Sequence, residues 1–583
     1  MTSTLISIFE TQARGNARPA LRSKRAGSWE TVSFQEWRAR SRRLASFLMS
    51  AGIAPHDRVA IFATTRREWV IADAAVLYCG AVTVPVYASL IGDQAAYIVG
   101  HAEAKILVAE DAAYVKRIFD ASAATIANLS RILLIDGDGS SLPQKIAEKC
   151  VKWSDACTLR ENSPDDEAKI DERVAQTKPD DLATLMYTSG TTGPPKGAML
   201  THDNFVFETS SLLRALDVSH DDEALLFLPM AHIFAKILVA MQMRVGYAIS
   251  FAESVPKTMD NALEVNPTFF PSVPRLYEKI HAVANDKAAQ AGGVKKKIFD
   301  WAFSIGKKAA RAKVEGRPMG VFFALEHALA KKLVLGKVRG RFGNRIRFAI
   351  TGGAPLAEEL CVWFHAAGVE VLEGYGLTET TAGSTITTIG ALKFGTVGKA
   401  VEGLEVKLAP DGEVLMRGRS VMKGYFKKPE DTKEAIDEQG YFHSGDIGTI
   451  DADGFLKITD RKKDLIVTAG GKNVAPQNIE NLLKQAPLVS QAVVLGDRKP
   501  YLVALITLDA EAASRVAKED VEKLVQADVD AVNAKLSKYE TVKKFAILPN
   551  DFSIDSGELT PTLKVKRKVV AEKYASIVEG LYA

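Results

Sequence analysis

The residues best suited to chemistry lie in one loop, Tyr187-Thr-Ser-Gly-Thr-Thr-Gly-Pro-Pro-Lys-Gly197. Four hydroxyls, on Thr188, Ser189, Thr191 and Thr192, are interleaved with Gly190 and Gly193. Glycine lets the backbone turn tightly and lets amide N–H groups approach a ligand. Successive amides and hydroxyls can cradle phosphate oxygens, and Lys196 adds a mobile positive charge. The pattern differs from the P-loop G-x-x-x-x-G-K-[ST], because Pro195 precedes Lys196 and Gly197 follows it. A flexible Gly/Thr surface loop is the alternative. The apolar run 182–186 before the loop reads as a buried strand, and the Pro-Pro-Lys-Gly turn stiffens its exit, which favours the cradle.

The elements around this loop follow from hydrophobic spacing. Residues 34–51 and 68–80 read as helices, and 58–62, 81–86, 106–109 and 132–135 as short apolar strands. Strands alternating with helices predict a parallel α/β sheet. Further on, strand 347–351 delivers the turn Gly352-Gly-Ala-Pro-Leu356, and strand 369–372 delivers Glu373-Gly-Tyr-Gly-Leu-Thr-Glu-Thr380. Open α/β sheets bind ligands outside the carboxyl ends of their strands, where both turns sit. Residues 395–417 read as short antiparallel strands. Asp446, in Tyr441-Phe-His-Ser-Gly-Asp446, suits a pair of vicinal hydroxyls, and the planar fork of Arg461 suits ribose and phosphate oxygens. Pro476 opens a helix through Lys484, and 489–495 with 501–508 reads as a hairpin, so the chain ends in a small α+β unit.

Composition narrows the classes. A chain of 583 residues exceeds single-core size, so at least two domains are expected. Hydrophobic and charged contents of 47% and 25% are ordinary for a globular protein. A net charge of +4 gives no argument for nucleic acid as a partner. Cys79, Cys150, Cys157 and Cys361 form no C-x-x-C pair and read as reduced thiols of a cytoplasmic protein. The first ten residues lack the basic region and apolar core of a secretory signal. The most apolar window, 224–243, holds Pro229, His232, Lys236 and Gln242, and so reads as a buried strand end plus a core helix.

Taken together and in order, these motifs resemble the adenylate-forming, AMP-binding superfamily of acyl-CoA synthetases, luciferases and nonribosomal adenylation domains, from about residue 30 onward. The segment Pro271-Ser-Val-Pro-Arg-Leu-Tyr277 and the terminal Leu559-Thr-Pro-Thr-Leu-Lys-Val-Lys-Arg567 are similar to the long-chain fatty acyl-CoA synthetase branch. The resemblance implies a large N-terminal adenylation domain, 1–459, of parallel α/β sheets plus a small β region. A small mobile α+β C-terminal domain, 460–583, follows. The implied reaction is ATP-dependent activation of a long-chain fatty acid through acyl-AMP, with release of pyrophosphate, then transfer to coenzyme A with release of AMP. Alternatives are an acyl-AMP ligase that loads a carrier protein, an aryl-CoA ligase, or an inactive lipid or nucleotide sensor.

Site residues are implied by position in the same motifs. Thr188, Ser189, Gly190, Thr191, Thr192 and Lys196 form the phosphate loop. Gly353, Ala354, Gly374 and Tyr375 flank adenine. Thr378 contacts phosphate, Glu379 holds Mg²⁺, and Asp446 and Arg461 hold ribose. Asp460 is the hinge. Gly470, Gly471 and Lys472 line the CoA path. Lys564 takes the catalytic lysine's place, although the usual Gly before that lysine is missing and Lys566 and Lys568 are close by.

Three features stay open. His232, a lone histidine on an apolar segment, is a core residue or, by resemblance, a wall of the acyl pocket. Tyr277 belongs to that pocket or to a plain turn, since Pro271 and Pro274 mark an irregular segment. Residues 295–347 hold fifteen Lys/Arg against three acids, with apolar residues at near-helical spacing. That suits peripheral contact with an anionic membrane at its inner surface, or a solvated face over a core stripe.

Overall fold

The computed structural model describes residues 3–157, 161–188, 194–470, 472–554, 556–560 and 564–583. Two large sheets dominate. The first runs in the order Cys150–Lys152, Arg131–Leu134, Ala104–Ala109, Arg58–Phe62, Val82–Val86, Leu182–Thr188, Lys196–Thr201. All neighbours are parallel except the last pair, a hairpin that sets Thr188 opposite Lys196. The second has nine strands. Its parallel core is Glu370–Tyr375, Phe348–Thr351, Phe269–Ser272, Glu223–Leu226, Ala248–Phe251 and Pro19–Arg25. The strands are near-continuous Val, Ile, Leu and Phe runs because helices cover both faces. Two helices are apolar almost all round: Arg67–Tyr78 is buried along its whole length, and Ile233–Val245 over nearly all of it.

A four-stranded antiparallel sheet follows: Glu405–Leu408, Glu413–Arg417, Phe442–Ile450 and Leu456–Arg461. From Ile466 onward the chain builds its own apolar clusters around Val489–Leu495, Leu502–Leu508 and Val542–Ile547, the first two antiparallel as the spacing predicts.

One expectation changes. The segment around Pro271 and Pro274 is regular: Pro271 lies in the strand Phe269–Ser272, and Pro274 is the first residue of the helix Pro274–Ala291. Proline is tolerated there because the first helical N–H has no intrahelical partner anyway. The basic stretch is a helical layer, Gly293–Val314 and Val321–Ala330, continued by a π turn, Lys331–Leu335, and a last turn, Gly336–Arg339. Phe303 stacks on Trp363 of the helix Glu358–Ala366, with ring centroids 4.4 Å apart, which fixes that layer to the second sheet.

Candidate active site

Four strand ends converge. Leu182–Thr188 ends in the phosphate-loop motif, and Phe348–Thr351 in Gly352-Gly353. Glu370–Tyr375 leads into the short 3₁₀ turn Thr378–Thr380, and Glu223–Leu226 into the helix capped by His232. The loop residues Ser189, Gly190, Thr191 and Thr192, and also Gly471, lie outside the described residues.

At the first of these ends the Thr188 hydroxyl donates to Glu379 Oε1 at 3.3 Å, and the Tyr425 hydroxyl donates to the same oxygen at 2.8 Å. Glu379 is 8% exposed. Burial and the adjoining Glu379 carboxylate push the Tyr425 phenol up, so it stays a proton donor. Glu379 Oε2 has no hydrogen-bond partner among the described residues. One free oxygen of an otherwise fixed carboxylate fits Mg²⁺, which takes one or two carboxylates plus substrate phosphates. No group of three or more His, Cys, Asp or Glu forms a metal cage among the described residues. The turn that carries Glu379 is tight: Thr381 and Ala382 have φ of 58° and 96°. A Cβ at Gly376 would stand 1.5 Å from the Ala382 carbonyl oxygen, so only glycine fits there.

The expectation of a mobile Lys196 needs correction. Its ammonium is paired with Asp431 and lies 5.2 Å from the centre of the Tyr425 ring. Tyr425 and Asp431 thus hold Glu379 and Lys196. Sequence reading missed both, and long-range backbone pairing of residues 197–199 with 423–426 brings them in.

On the side expected to flank adenine, Gly353 has φ of 80°, and a Cβ there would meet His232 Cε1 at 3.8 Å. Ala354 is exposed. His232 caps its helix, its Nδ1 accepting from the Phe234 amide at 3.1 Å. Nδ1 is therefore the acceptor, and Nε2 carries the proton of the neutral ring. Burial, and next the charge of Lys564, hold the ring down to about 4. Tyr375 reaches past the turn, its hydroxyl donating to Asp446 Oδ2 at 2.7 Å. Asp446, 4% exposed, also faces Arg461, whose Nε is 3.2 Å from Oδ1.

Lys564 comes from the other end of the chain. A short antiparallel bridge pairs Leu559 with Val565, and the Thr560 amide donates to the Lys564 carbonyl at 2.8 Å. The lysine opens onto the cleft, where Arg461, Asp446, Glu379 and His232 are all within electrostatic reach. Crowding by the cleft walls, and next the Arg461 charge, lower its pKa to about 8. Lys568 instead pairs with Glu572. Asp460, 1% exposed, accepts from the Arg461 amide at 2.6 Å and from the Gln477 amide at 3.3 Å. Burial raises its carboxyl to about 6.

The remaining expected residues stand apart. Tyr277 is fully buried, its hydroxyl pointing at the Phe270 and Ile350 carbonyls at 3.5 and 3.3 Å and its ring against Phe364. Gly470 and Lys472 lie on the turn of a small hairpin, Ile466–Val467 with Asn473–Val474. A Cβ at Gly470 would meet only Thr468 Oγ1, at 3.9 Å, so nothing in this arrangement demands glycine there.

Known proteins resemble the chain over most of its length. Residues 9–426 match the model of the AMP-binding enzyme family, and residues 463–583 match its AMP-binding enzyme C-terminal domain. The chain is 40% identical over 579 residues to the long-chain-fatty-acid–CoA ligase FadD15 of Mycobacterium tuberculosis, with 95% of this chain and 93% of that one covered. It is 30% identical over 617 residues to the human long-chain-fatty-acid–CoA ligase ACSBG2, covering 98% and 91%. Its fold is similar to the adenylation domain of a carboxylate reductase from Mycobacterium chelonae, with a TM-score of 0.80, 22% identity and coverage of 100% and 91%. The chain belongs to the AMP-binding enzyme family.

Proposed function

We propose that this protein is an AMP-forming acid–thiol ligase that activates long-chain fatty acids with ATP and passes the acyl group to coenzyme A. The observation that carries the reading is the meeting of Glu379, Asp446, Arg461, His232 and Lys564, from segments up to 332 positions apart, around one cleft at the strand ends. The cleft has charge and donors but no nucleophile with a base. That suits attack of a carboxylate on the α-phosphorus of ATP, where positioning and charge stabilisation do most of the work. Asp446 and Arg461 hold the ribose, while Gly353, Ala354, Gly374 and Tyr375 flank the base. His232 presents Nε2–H beside Gly353 toward the carboxylate. Lys564 neutralises charge on the acyl and phosphate oxygens as pyrophosphate leaves. Glu379 would hold Mg²⁺, which supplies further neutralisation of the phosphates.

We propose two domains, 1–459 and 460–583, with Asp460 as the hinge. The present arrangement has Lys564 at the cleft and the hairpin of Gly470 and Lys472 away from it, which suits adenylation. Arg275 latches it, donating to the Ser490 carbonyl at 3.0 Å and hydroxyl at 2.9 Å. A second orientation would bring Gly470 and Gly471 to the acyl-AMP for the thiol to pass. The test is steady AMP formation that requires both a long-chain acid and CoA. AMP formation that needs a carrier protein, or an aryl acid, would select the alternative ligases, and none at all would select the sensor.

A specific observation favours a peripheral membrane partner. The helix from Val321 turns Phe323 and Ala330 inward and leaves Val321, Phe322, Leu325, Leu329 and Leu333 on the surface, Phe322 being 89% exposed. Lys331, Lys332, Lys337 and Arg341 surround this face without ion pairs among the described residues. Among the described residues no helix is long and apolar enough to cross a membrane. Peripheral contact with anionic lipid covers the apolar face and uses the free charges.

A further inference from the structure

The hairpin that carries Lys564 is tied to the hinge by a residue that touches neither substrate nor cleft. Three positions beyond Lys564 the chain enters the helix Arg567–Lys573. The Arg567 guanidinium turns inward. Its Nη1 donates to Glu480 Oε1 at 2.5 Å and to the Val494 carbonyl at 2.7 Å, and its Nη2 donates to Glu480 Oε2 at 3.0 Å. Glu480 Oε1 also accepts from the Val494 amide at 2.7 Å. Glu480 sits on the helix Pro476–Leu483, and the Gln477 amide at the start of that helix donates to Asp460 Oδ2 at 3.3 Å. One chain of bonds therefore runs from the Lys564 hairpin through Arg567, Glu480 and a helix to Asp460.

The cost of this link indicates its purpose. Both side chains are largely out of water, at 18% and 9% exposure, and Arg567 Nε finds no acceptor among the described residues. A buried ion pair of this kind seldom stabilises more than a well-packed apolar pair would, because both charges lose water. What it does supply is geometry: a planar two-point fork fixes distance and angle together, which a lysine's point charge does not. Asp460 is the penultimate residue of the last strand of the four-stranded sheet, and the helix whose Gln477 amide it accepts from is the first helix beyond the hinge.

We infer that Arg567 is a positioning residue for the adenylation step. It joins the Lys564 hairpin to the helix capped by Asp460, so that rotation at Asp460 carries Lys564 to the cleft as part of one rigid body. Without the fork, Lys564 remains chemically intact but is delivered out of place. This inference rests on the reading of Lys564 and Asp460 given above. The thioester step uses the other face of the same unit and does not require Lys564 at the cleft.

The experiment uses the full chain and four variants: Arg567→Lys, Arg567→Met, Glu480→Gln and Lys564→Ala. Adenylation is read as ATP–pyrophosphate exchange with palmitate. Thioester formation is read as palmitoyl-CoA made from supplied palmitoyl-AMP and CoA, which also shows that each variant is folded. Arg567→Lys should lose about 10²-fold in the exchange rate, the scale of an ångström-sized misplacement, with little change in the KM for ATP. Glu480→Gln should lose less. Both should keep thioester formation within about twofold of wild type. If Arg567→Met fails to fold, Arg567→Lys carries the test, since it keeps the charge and most of the volume. Equal loss of both half-reactions in Arg567→Lys makes Arg567 a plain structural pin and overturns the inference. So does unchanged exchange in Arg567→Lys while Lys564→Ala loses it, an outcome that leaves the role of Lys564 standing. Unchanged exchange in Lys564→Ala removes the underlying reading itself.

Discussion

The cleft and the helical layer 293–342 hold their charges in opposite ways. In the cleft three charged groups have fixed partners, Asp446 between Tyr375 and Arg461, Glu379 under Tyr425 and Lys196 on Asp431, while Lys564 is exposed. In the layer, Lys296–Asp300, Arg311–Glu358 and Lys307–Glu359 are surface pairs with both partners a third or more exposed. Such pairs are screened and contribute on the order of 0–1 kcal/mol each. The layer holds thirteen Lys/Arg against three acids, more than the whole chain's net charge of +4, yet the groups proposed for the chemistry lie elsewhere. Charge density marks surfaces for encounter, whereas charge with fixed partners and little water marks sites.

Breaking the cleft side should give the largest effect. Glu379→Gln keeps the shape and the Tyr425 contact but makes a poor metal ligand. Adenylation should fall on the order of 10²–10³-fold in kcat, as when one transition-state contact is removed. Pyrophosphate exchange at the wild-type rate would end the metal assignment.

The layer should yield a different phenotype. Phe322→Ser should weaken binding to vesicles rich in anionic lipid about 10–100-fold, since full burial of one large apolar side chain is ~1.5–3 kcal/mol and 1.4 kcal/mol is tenfold. The rate with soluble substrates should not change. Raised salt should release the wild-type protein. Equal sedimentation of the variant and the wild type, or binding to neutral vesicles that salt leaves unchanged, would return the stretch to a solvated face. Should Phe322→Ser instead turn a dimer into a monomer in sizing experiments, the face is an interface between copies.

Tyr425→Phe sharpens the contrast within the cleft. It removes one donor to Glu379 and nothing else, and hydrogen bonds to charged groups are worth ~1.5–3 kcal/mol. Adenylation should drop about tenfold, with a matching rise in the Mg²⁺ concentration needed for half-maximal rate. A drop without that rise would detach Tyr425 from the metal.

The local motifs were legible because each is a strand end followed by glycines and hydroxyls, a pattern set by neighbours in sequence. The strands 58–62 and 489–495 were readable because apolar runs of that length have few other uses. The partners were not legible. Tyr425 on Glu379, Asp431 on Lys196 and Glu480 on Arg567 join residues 46, 235 and 87 positions apart, and nothing local in any of them announces the other. Pro271 and Pro274 misled because proline usually breaks elements, while here one sits within a short strand and the other at a helix start. Lys564 was one of several nearby lysines in the sequence. Only the hairpin that folds Leu559 against Val565 sets it at the cleft, while Lys568 turns to Glu572.

The smallest expected effect concerns the pH at which the cleft stops working. Lys564 is exposed, yet the cleft walls around it and then Arg461 lower it to about 8, against the pull of Asp446 and Glu379. Adenylation needs the protonated form, because only the ammonium neutralises developing oxygen charge. The activity is therefore present below pH 8 and lost above it. Pyrophosphate exchange, read as kcat/KM so that the free enzyme is reported, should fall about twofold at pH 8 and about tenfold by pH 9. His232, held down to about 4, and Asp460, near 6, titrate on the acid side and leave this limb alone. Exchange is the right readout because no CoA thiol takes part. Lys564→Arg keeps a charge across the whole range. It should be slower at pH 7, since a guanidinium fits the space differently, but its profile should be flat from pH 7 to 9.5. If that variant shows the same alkaline fall, the titrating group is not Lys564, and the lysine's place in the adenylation step has to be given up.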